Sequence, residues 1–338
     1  FILSLQGRRV MTGAEGTEAE IIITLAGGVN AATGFDVYKP MTDEAVLAAE
    51  GYVQGGKNWV VDMDITKFFD HVNHDILMER LGRRIADAAV LRLVRAYLDA
   101  GIMADGVVIE RHEGAPQGGP LSPLLANVLL DEVDRELERR GHCFVRYADD
   151  CNVYVRSRRA GERVMALLRR LYGRLKLRIN EAKSAVADAL AEERKFLGFA
   201  FYATKGEARC KVASKPLQAF KRRIRQLTRR TVGRSMEQVI ETLRSYLLGW
   251  KAYFGLAQSR TVWRELDEWL RHRLRALQLK QWRRGTTIYS ALRALGASET
   301  TARRVAANSH CWWRNSAGDI NKVLTIAYFD RLGLPRLS

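Results

Sequence analysis

Two adjacent acidic residues, Asp149 and Asp150, lie near the centre of a short, mostly apolar stretch between residues 143 and 155. The runs on either side favour β-strands, so the pattern predicts a hairpin with both carboxylates at its tight connection. Like charges at the tip of an apolar hairpin repel one another, and a bound cation would neutralise them. A solvated turn is the alternative interpretation, because Asp is a favoured turn residue.

A second acidic group follows a β-prone run that starts at Trp59. Asp62 and Asp64 share one face of that predicted strand, because side chains alternate between the two faces. If the strand pairs beside the hairpin, Asp64 can face Asp149. Oxygen ligands with no thiolate or imidazole nearby favour magnesium, and two such ions, about 3.5–4 Å apart, carry in-line phosphoryl transfer. The two acidic groups therefore predict a site for two magnesium ions.

Between the acidic groups, residues 113–124 form a segment rich in glycine and proline. The glycines allow the backbone to approach a ligand closely, and Pro120 and Pro123 favour the start of a helix. Apolar residues from Leu121 onward continue at helical spacing. A loop that leads into a helix N-terminus suits a phosphate or a nucleotide base edge. An ordinary turn before a helix is the alternative.

The order and wording of these motifs resemble the reverse transcriptases of group II introns, within the retron-type family. The resemblance covers the chain from Ala45 to the C-terminus. It departs from the family in the first 40 residues, where we find no counterpart of the N-terminal fingers region. The matching segments, in the family's order, are residues 64–70, 116–123, 147–150, 177–184 and 195–199.

The resemblance implies a role for each acidic residue. Asp64, Asp149 and Asp150 are expected to be the catalytic acids and to bind the two magnesium ions. Asp64 and Asp149 are expected to bind both ions, with a lesser part for Asp150. We expect Asp62 and Asp70 to be structural.

Contacts with nucleotide and nucleic acid are also implied by the resemblance. The family places a bulky ring under the nucleotide sugar, where it excludes a 2′-hydroxyl; Phe69 occupies that position, and core packing is its alternative role. The expected nucleotide-binding residues are Phe69, Pro116, Gln117, Gly118 and Lys183. The expected contacts with RNA and primer-template are Lys195, Gly198, Arg222, Arg223, Arg229, Arg230, Arg283 and Arg284.

The chain carries 55 Lys and Arg residues against 38 Asp and Glu residues, a formal net charge of +17. Such an excess points to a polyanionic partner, and nucleic acid is the first candidate. The resemblance specifies an RNA template, intron RNA, a DNA primer and deoxynucleoside triphosphates.

No apolar run approaches the roughly 20 residues that span a membrane. The cysteines show no zinc-binding spacing and read as reduced thiols, so we expect a cytoplasmic, prokaryotic protein. His71 and His74 are expected to cap a helix or lie at the surface.

Helix and strand signals alternate up to about residue 201 and predict an α+β fold. With the resemblance they predict a right-hand polymerase palm, an antiparallel sheet with helices on one face, followed by an α-helical thumb or maturase bundle. The expected domains are an unmatched segment with fingers lost or replaced (1–40), a palm with partial fingers (41–213) and a helical thumb or maturase domain (214–338). Helices are predicted at 45–54, 75–83, 88–99, 121–138 and 162–174, and strands at 59–64, 107–110, 144–147, 152–156 and 196–201.

Beyond residue 215 the pattern changes to apolar stripes at helical spacing, with arginines on the remaining faces. Three amphipathic helices of this kind pack as a bundle. We expect the tryptophans of this region to pack inside the bundle, and stacking on bases is the alternative. They are Trp250, Trp263, Trp269 and Trp282.

The leading hypothesis is an RNA-directed DNA polymerase of a group II intron-type element, with a maturase role in splicing. In that reaction a primer 3′-hydroxyl attacks the α-phosphate of a deoxynucleotide. The alternative is a catalytically impaired RNA-binding splicing cofactor, or a degraded remnant, because no fingers region is recognised. The oligomeric state is left open.

Overall fold

The computed structural model describes most of the chain as two compact units, Phe1–Arg209 and Cys210–Ser338. The first unit combines a six-stranded sheet with helices, and the second unit is built mainly of helices. The described residues are 2–5, 8–11, 39–100, 102–104, 107–109, 113–116, 121–191, 194–229 and 233–338.

Antiparallel pairing organises the strands of the described residues. These strands are β1 (Ile2–Leu5), β2 (Arg8–Met11), β3 (Trp59–Met63), β4 (Ile102–Ala104), β5 (Val107–Ile109), β6 (Cys143–Tyr147), β7 (Asp150–Val155), β8 (Ala185–Asp188), β9 (Phe199–Thr204) and β10 (Glu207–Val212). Six of them form one sheet in the order β2-β1-β6-β7-β3-β8, and every neighbouring pair in it is antiparallel. Two smaller sheets pair β4 with β5 and β9 with β10.

Short polar residues begin several helices of the first unit. These helices are α1 (Lys39–Gln54), α2 (His74–Gly82), α3 (Ala88–Asp99), α4 (Ser122–Arg139) and α5 (Arg158–Arg174). The side chains of Asn73, Asp87 and Ser157 accept hydrogen bonds from backbone N–H groups in the first turns of α2, α3 and α5. Such caps satisfy donors that have no partner within the helix. The first turn of α4 contains Pro123, whose fixed φ suits that position.

The main core of the first unit lies between one face of the sheet and helices α4 and α5. The register pairs Val61 with Val153 and Val153 with Phe144, so these three side chains share that face. All three are fully buried. Burial of each side chain of this size stabilises the folded state by roughly 1.5–3 kcal/mol. Gly161 lets α5 approach the sheet, because a Cβ there would lie 2.4 Å from the Val186 side chain.

The opposite face of the sheet carries Asp62, Asn152 and Tyr154, because neighbouring residues of a strand point to opposite sides. Tyr154 contacts Tyr52 of α1, with ring centroids 5.8 Å apart. The α1 helix therefore covers part of this face. The α+β class and the antiparallel palm sheet predicted from the sequence are confirmed, and α1 adds a helix on the second face.

The predicted helices and strands of the palm are all found, but three of them start clearly elsewhere. The helices expected at 45–54 and 162–174 begin earlier, at Lys39 and Arg158. The strand expected at 196–201 begins only at Phe199. Leu197 and Gly198 have positive φ values of 51° and 81°, and Phe196 and Phe199 exchange two backbone hydrogen bonds around them. The prediction was wrong there because a left-handed turn interrupts the apolar run. Residues 12–38 lie outside the described part of the chain, so the expected loss of the fingers region stays a prediction.

The second unit, Cys210–Ser338, buries aromatic side chains between its first three helices. Phe220 and Trp250 lie with ring centroids 4.3 Å apart, and Trp250 meets Trp263 at 5.3 Å. The predicted bundle packing of Trp250 and Trp263 is confirmed, whereas Trp269 lies against two arginine guanidinium groups. The helices are α6 (Ser214–Leu227), α7 (Met236–Phe254), α8 (Arg260–Trp282), α9 (Gly285–Ala294), α10 (Glu299–Ala307), α11 (Trp312–Asn315) and α12 (Ile326–Arg331).

Candidate active site

A two-residue turn joins β6 to β7 and carries Asp149. Tyr147 pairs with Asp150 across the turn, which leaves Ala148 and Asp149 as its two central residues. Ala148 takes a positive φ of 56°, a backbone conformation that two-residue hairpin turns commonly need. The hairpin predicted from the sequence is confirmed, with Asp149 in its turn and Asp150 at the first position of β7.

Pairing of β3 with β7 brings the second acidic group to this hairpin. Met63 pairs with Cys151, so Asp64 follows β3 by one residue at the end where β7 begins. The negative charge of Asp64 contributes to the pKa of both Asp149 and Asp150. The predicted pairing of this strand beside the hairpin is confirmed, and it gathers three carboxylates in one electrostatic environment.

Burial and mutual repulsion raise the pKa values of these acids. Burial is the largest cause at Asp150, whose pKa rises to about 7. Three neighbouring carboxylates add to that rise, those of Asp62, Asp149 and Asp64. Burial also raises the pKa of Asp149, with a further contribution from the Asp64 charge. The site therefore holds more negative charge than its own surroundings neutralise.

Three basic side chains lie close to the acids. Lys183 Nζ lies 3.1 Å from Asp64 Oδ2. Arg194 Nη1 donates to Asp62 Oδ2 at 3.2 Å, and this cation partly offsets the rise in the Asp62 pKa that burial causes. The exposed Lys195 also acts on the site, because its positive charge lowers the pKa of Asp150.

Residues 177–184 are fixed beside Asp64 by hydrogen bonds to its backbone. Asn180 N donates to Asp64 O at 2.9 Å. Asp64 N in turn donates to Ser184 Oγ at 3.1 Å. These two bonds hold the segment in register with the end of β3, and they place Lys183 next to the candidate catalytic acid.

The described part of the glycine-rich segment, residues 113–116, lies beside Phe69. Ala115 N donates to Phe69 O at 2.7 Å. Gly114 has a positive φ of 92°, and a Cβ there would come within 2.9 Å of the backbone oxygens of Phe69 and Asp70. Only glycine permits this approach. The Phe69 ring is partly buried against the palm core. Two further predicted nucleotide-binding residues, Gln117 and Gly118, lie outside the described residues.

Two anchors of this loop were not predicted from the sequence. His74 is 2 % exposed; its Nε2 donates to Gly114 O at 2.6 Å, and its Nδ1 lies 3.2 Å from Asp99 Oδ1. The expected capping or surface role of His74 is wrong, because both ring nitrogens have partners inside the fold. Ser122 Oγ, at the start of α4, donates to Pro116 O at 2.5 Å.

A buried arginine beneath the turn was also missed. The side chain of Arg146 has no exposed surface. Its guanidinium donates twice to the carboxylate of Asp134, at 2.8 and 2.6 Å. It also donates to Asn127 Oδ1 and to Ala148 O, both at 2.7 Å. An arginine in a strand pattern normally indicates an exposed position, so no local signal pointed to this network.

The residues predicted to contact nucleic acid are exposed or partly exposed wherever the structure describes them. Lys195 is exposed, and Gly198 lies in the left-handed turn before β9. Exposed guanidinium groups are available to a phosphate backbone. The exposed candidates of the second unit are Arg222, Arg223, Arg229, Arg283 and Arg284. Arg230 lies outside the described residues.

The donor chemistry of the acidic group fits magnesium. The candidate ligands are carboxylates, with no thiolate or imidazole among them, and Mg²⁺ prefers such oxygen donors. Burial, together with neighbouring carboxylates, raises the pKa of Asp150, and a divalent cation would favour its charged form. Within the described ranges, no three His, Cys, Asp or Glu side chains are already gathered closely enough to hold an ion.

A comparison with protein-family models decides the family. The model for reverse transcriptase (RNA-dependent DNA polymerase) matches residues 31–201, a range that includes all the candidate catalytic acids. The chain belongs to the reverse transcriptase family. Residues 217–296 of the chain match the group II intron maturase-specific domain. The resemblance found in the sequence motifs is confirmed for both parts of the chain.

Curated relatives are similar to the chain over shorter stretches. Protein YkfC of Escherichia coli (strain K12) is 42% identical over 82 residues, 24% of this chain and 22% of that protein. The group II intron-encoded protein LtrA of Lactococcus lactis subsp. cremoris is 38% identical over 81 residues, 24% of this chain and 14% of that protein. The chain thus spans less than a quarter of the length of these relatives.

One solved structure with partial likeness is telomerase from Candida tropicalis in complex with a fragment of telomeric RNA. It is 11% identical, with a TM-score of 0.46, over 93% of this chain and 52% of that chain. No functional argument follows from similarity at this level. None of the helices among the described residues combines the length and apolar character that crossing a membrane requires.

Proposed function

We propose that this protein copies RNA into DNA from a primer 3′-hydroxyl, with Asp64, Asp149 and Asp150 as its catalytic acids. The observation that carries the proposal is the strand pairing that sets Asp64 beside the hairpin turn of Asp149. At this place the carboxylates are buried and repel one another, and the pKa of Asp150 rises to about 7. A phosphoryl-transfer site uses such surplus negative charge to hold its cations.

The same carboxylates are our candidate ligands for two magnesium ions, with Asp64 and Asp149 as the main ligands and Asp150 in a lesser part. When bound, such ions activate an attacking hydroxyl and stabilise a leaving pyrophosphate. The protein itself supplies a rigid frame, because the β3–β7 ladder fixes the backbone on both sides of the acids. Lys183 compensates the charge of Asp64 across 3.1 Å.

Nucleotide binding is assigned to the surface around Phe69 and Pro116. The backbone bond from Ala115 to Phe69 supports this assignment, because it joins the two candidate segments directly. The Phe69 ring would exclude a 2′-hydroxyl and so select deoxynucleotides. Gln117 and Gly118 are assigned to the incoming nucleotide or the templating base, and Lys183 to the pyrophosphate, on the family resemblance.

A second function, RNA binding in support of intron splicing, is favoured by the match of residues 217–296 to the maturase-specific domain. The exposed arginines of α6 and those after α8 suit a phosphate backbone, and binding through them would weaken steeply with salt. We propose intron RNA, an RNA template and a DNA primer as the partners. In this assignment residues 41–213 form the palm with partial fingers, and residues 214–338 form the thumb or maturase domain.

Primer extension on an RNA template tests the polymerase proposal. Asp149→Asn keeps the size of the side chain and removes its charge, so we expect extension to fall to background while RNA affinity stays unchanged. Asp188→Asn is the matched control, because this exposed aspartate at the end of β8 lies outside the acidic group. Extension by Asp149→Asn at the rate of the unmodified protein would show that the site is wrongly assigned.

A splicing assay separates the two functions. If the chain assists splicing through RNA binding alone, Asp149→Asn should support splicing as well as the unmodified protein does. Loss of splicing in that variant, with RNA affinity retained, would contradict an independent maturase role.

A further inference from the structure

The ion pair between Arg146 and Asp134 is enclosed in the core of the palm. The exposed fraction of the two side chains is 0% and 2%. The pair is bidentate, with Arg146 Nε donating to Asp134 Oδ1 at 2.8 Å and Nη2 donating to Oδ2 at 2.6 Å. Two parallel bonds fix the plane of the guanidinium as well as its position.

The remaining bonds of this guanidinium reach the turn of the candidate active site. Arg146 Nη1 donates to Ala148 O at 2.7 Å, and Ala148 directly precedes Asp149. The same nitrogen donates to Asn127 Oδ1 at 2.7 Å. Asn127 is oriented by this bond, and its own amide nitrogen is buried with no hydrogen-bond partner. A buried N–H group without a partner is unfavourable. The Asn127 side chain keeps this orientation because its Oδ1 accepts the hydrogen bond from Arg146.

Stability alone does not explain such a pair. Taking two charges out of water is costly, and apolar residues of similar volume are often as stabilising or more so. The turn, in contrast, needs support, because Ala148 holds a positive φ of 56° that residues with a Cβ rarely adopt. The bond from Arg146 to Ala148 O ties this strained turn to the core.

Helix α4 links the turn to residues 113–116 of the glycine-rich segment, here called the nucleotide loop. Asn127 and Asp134 are two helical turns apart on α4, so they lie on the same side of it. At the first residue of the same helix, Ser122 Oγ donates to Pro116 O at 2.5 Å. One rigid helix therefore contacts the backbone of both segments, the loop at its N-terminus and the hairpin turn through Arg146.

We propose that Arg146 is a positioning residue, which fixes the Ala148–Asp149 turn to α4 and so sets the place of Asp149 relative to the nucleotide loop. This inference rests on the proposed function wherever polymerase activity is the readout. A lysine cannot replace Arg146, because one ammonium cannot bond both Asp134 oxygens, Asn127 and Ala148 O in a single fixed plane.

Two variants test the proposal. Arg146→Lys keeps the charge, and the double variant Arg146→Met with Asp134→Leu removes both charges without leaving one unpaired. We expect both to fold, with the double variant melting close to the unmodified protein. We expect kcat for primer extension to fall at least tenfold in both, and the Mg²⁺ concentration at half-maximal rate to rise several-fold. RNA affinity should not change.

The matched control is the double variant Arg84→Met with Asp131→Leu. Asp131 lies on α4, and Arg84 Nη2 donates to its Oδ2 at 2.6 Å at the surface. This control removes an aspartate of α4 and its arginine partner from the segment before α3, without touching the turn. Arg135, which also donates to Asp131 Oδ2 at 2.8 Å, has an exposed side chain that water can solvate. It should keep the kcat and the Mg²⁺ dependence of the unmodified protein.

Hydrogen exchange gives a readout that needs no activity. In the unmodified protein the amides of Asp150 and Cys151, which pair with Tyr147 and Met63 in the sheet, should exchange only at the rate of global unfolding. In the folded Arg146 variants they should exchange at least tenfold faster, with other β7 amides unchanged. This result would support the proposal even if the unmodified chain does not extend primers, an outcome that would overturn only the proposed function.

Two outcomes would overturn the positioning role. One is a folded Arg146 variant with unchanged kcat, Mg²⁺ dependence and exchange at the turn. The other is rapid local exchange of Asp150 and Cys151 in the unmodified protein, a measurement that decides the question even if neither variant folds.

Discussion

Lys183 Nζ lies 3.1 Å from Asp64 Oδ2, so a candidate catalytic acid already has a cation from the protein beside it. The lysine side chain is 69% exposed and the aspartate side chain 31%. The pair is therefore well solvated, and an exposed pair of this kind contributes only about 0.2–1 kcal/mol. A magnesium ion at Asp64 would compete with this lysine or shift it toward an incoming triphosphate.

Replacing Lys183 should separate these two effects. In Lys183→Met, Asp64 loses its competing cation, and the Mg²⁺ concentration at half-maximal activity should fall by about 1.4- to 5-fold. The KM for deoxynucleotide should rise, because a positive charge near the pyrophosphate is removed. Steady-state primer extension at varied Mg²⁺ and nucleotide measures both. Lys176→Met, at an exposed lysine of a neighbouring turn, is the control. A higher Mg²⁺ requirement in Lys183→Met would contradict the competition.

The raised pKa of Asp150 predicts how stability depends on pH without metal. The folded state raises this pKa from 3.8 to about 7, so between these values the folded protein binds more protons than the unfolded chain. The contribution of Asp150 to the free energy of unfolding should therefore decrease as pH rises from about 4 to about 7, by about 1.4 kcal/mol for each unit of pKa difference. Urea denaturation in EDTA at several pH values measures this slope.

Asp150→Asn should flatten that dependence, because the amide does not titrate. Added Mg²⁺ should flatten it too, since a bound cation favours the charged carboxylate. Asp188→Asn should leave the slope unchanged. If the pH dependence without metal is the same in Asp150→Asn as in the unmodified protein, that result would contradict the electrostatics of the site.

Gly114 predicts a steric requirement of the nucleotide loop. In Gly114→Ala the new Cβ would lie 2.9 Å from the backbone oxygens of Phe69 and Asp70. Gly141 has a comparable positive φ, 71° against 92° at Gly114, but a Cβ added at Gly141 would have no atom within 4 Å. Gly141→Ala is therefore the control. Both variants should lose stability through backbone strain, of the order of 1–3 kcal/mol. Gly114→Ala should lose about 1–3 kcal/mol more, because the close approach adds overpacking.

Only the Gly114 substitution should raise the KM for deoxynucleotide. Chemical denaturation and nucleotide titrations of the two variants give the comparison. Equal effects in both assays would show that the loop tolerates a displaced backbone at this position.

The arginines of α6 predict the salt dependence of RNA binding. Arg222 and Arg223 are both exposed on this helix. Replacing both with glutamine should lower the slope of log affinity against log salt by about 0.7 for each phosphate of single-stranded RNA that the protein no longer neutralises. Filter binding at several salt concentrations gives the slope. Arg303→Gln is the control, because Arg303 is paired with Glu299 at 2.5 Å. An unchanged slope in the double variant would remove these arginines from the interface.

Several parts of the candidate site could be predicted because their signals are local. The strand that ends before Asp64 and the hairpin around Asp149 each follow from β-prone residues and turn chemistry within a few positions. The pairing of that strand with the hairpin could be inferred as well, because both acidic segments belong to the same ordered set of family motifs. Phe196 shows where this reasoning fails: the apolar run predicted a strand, and the backbone turned through Leu197 and Gly198 instead.

The electrostatic partners of the acids could not be predicted in this way. Arg194 pairs with Asp62, 132 residues away in the sequence, and Lys195 lowers the pKa of Asp150 from across the site. Neither interaction leaves a periodic signal in the sequence. The hydrogen-bond network of Arg146 could not be predicted either, because it depends on which side chains of α4 face β6.

The sequence by itself determined the hairpin that carries Asp149 and Asp150, the α+β class and the change to basic amphipathic helices after residue 215, and it supplied the candidate acids. Only the tertiary structure decided that a buried guanidinium bonds Ala148 O, that Lys183 meets Asp64, and that α1 covers part of the acidic face. The physical reason is that propensity and periodicity act over a few residues, whereas these interactions depend on how the whole core packs.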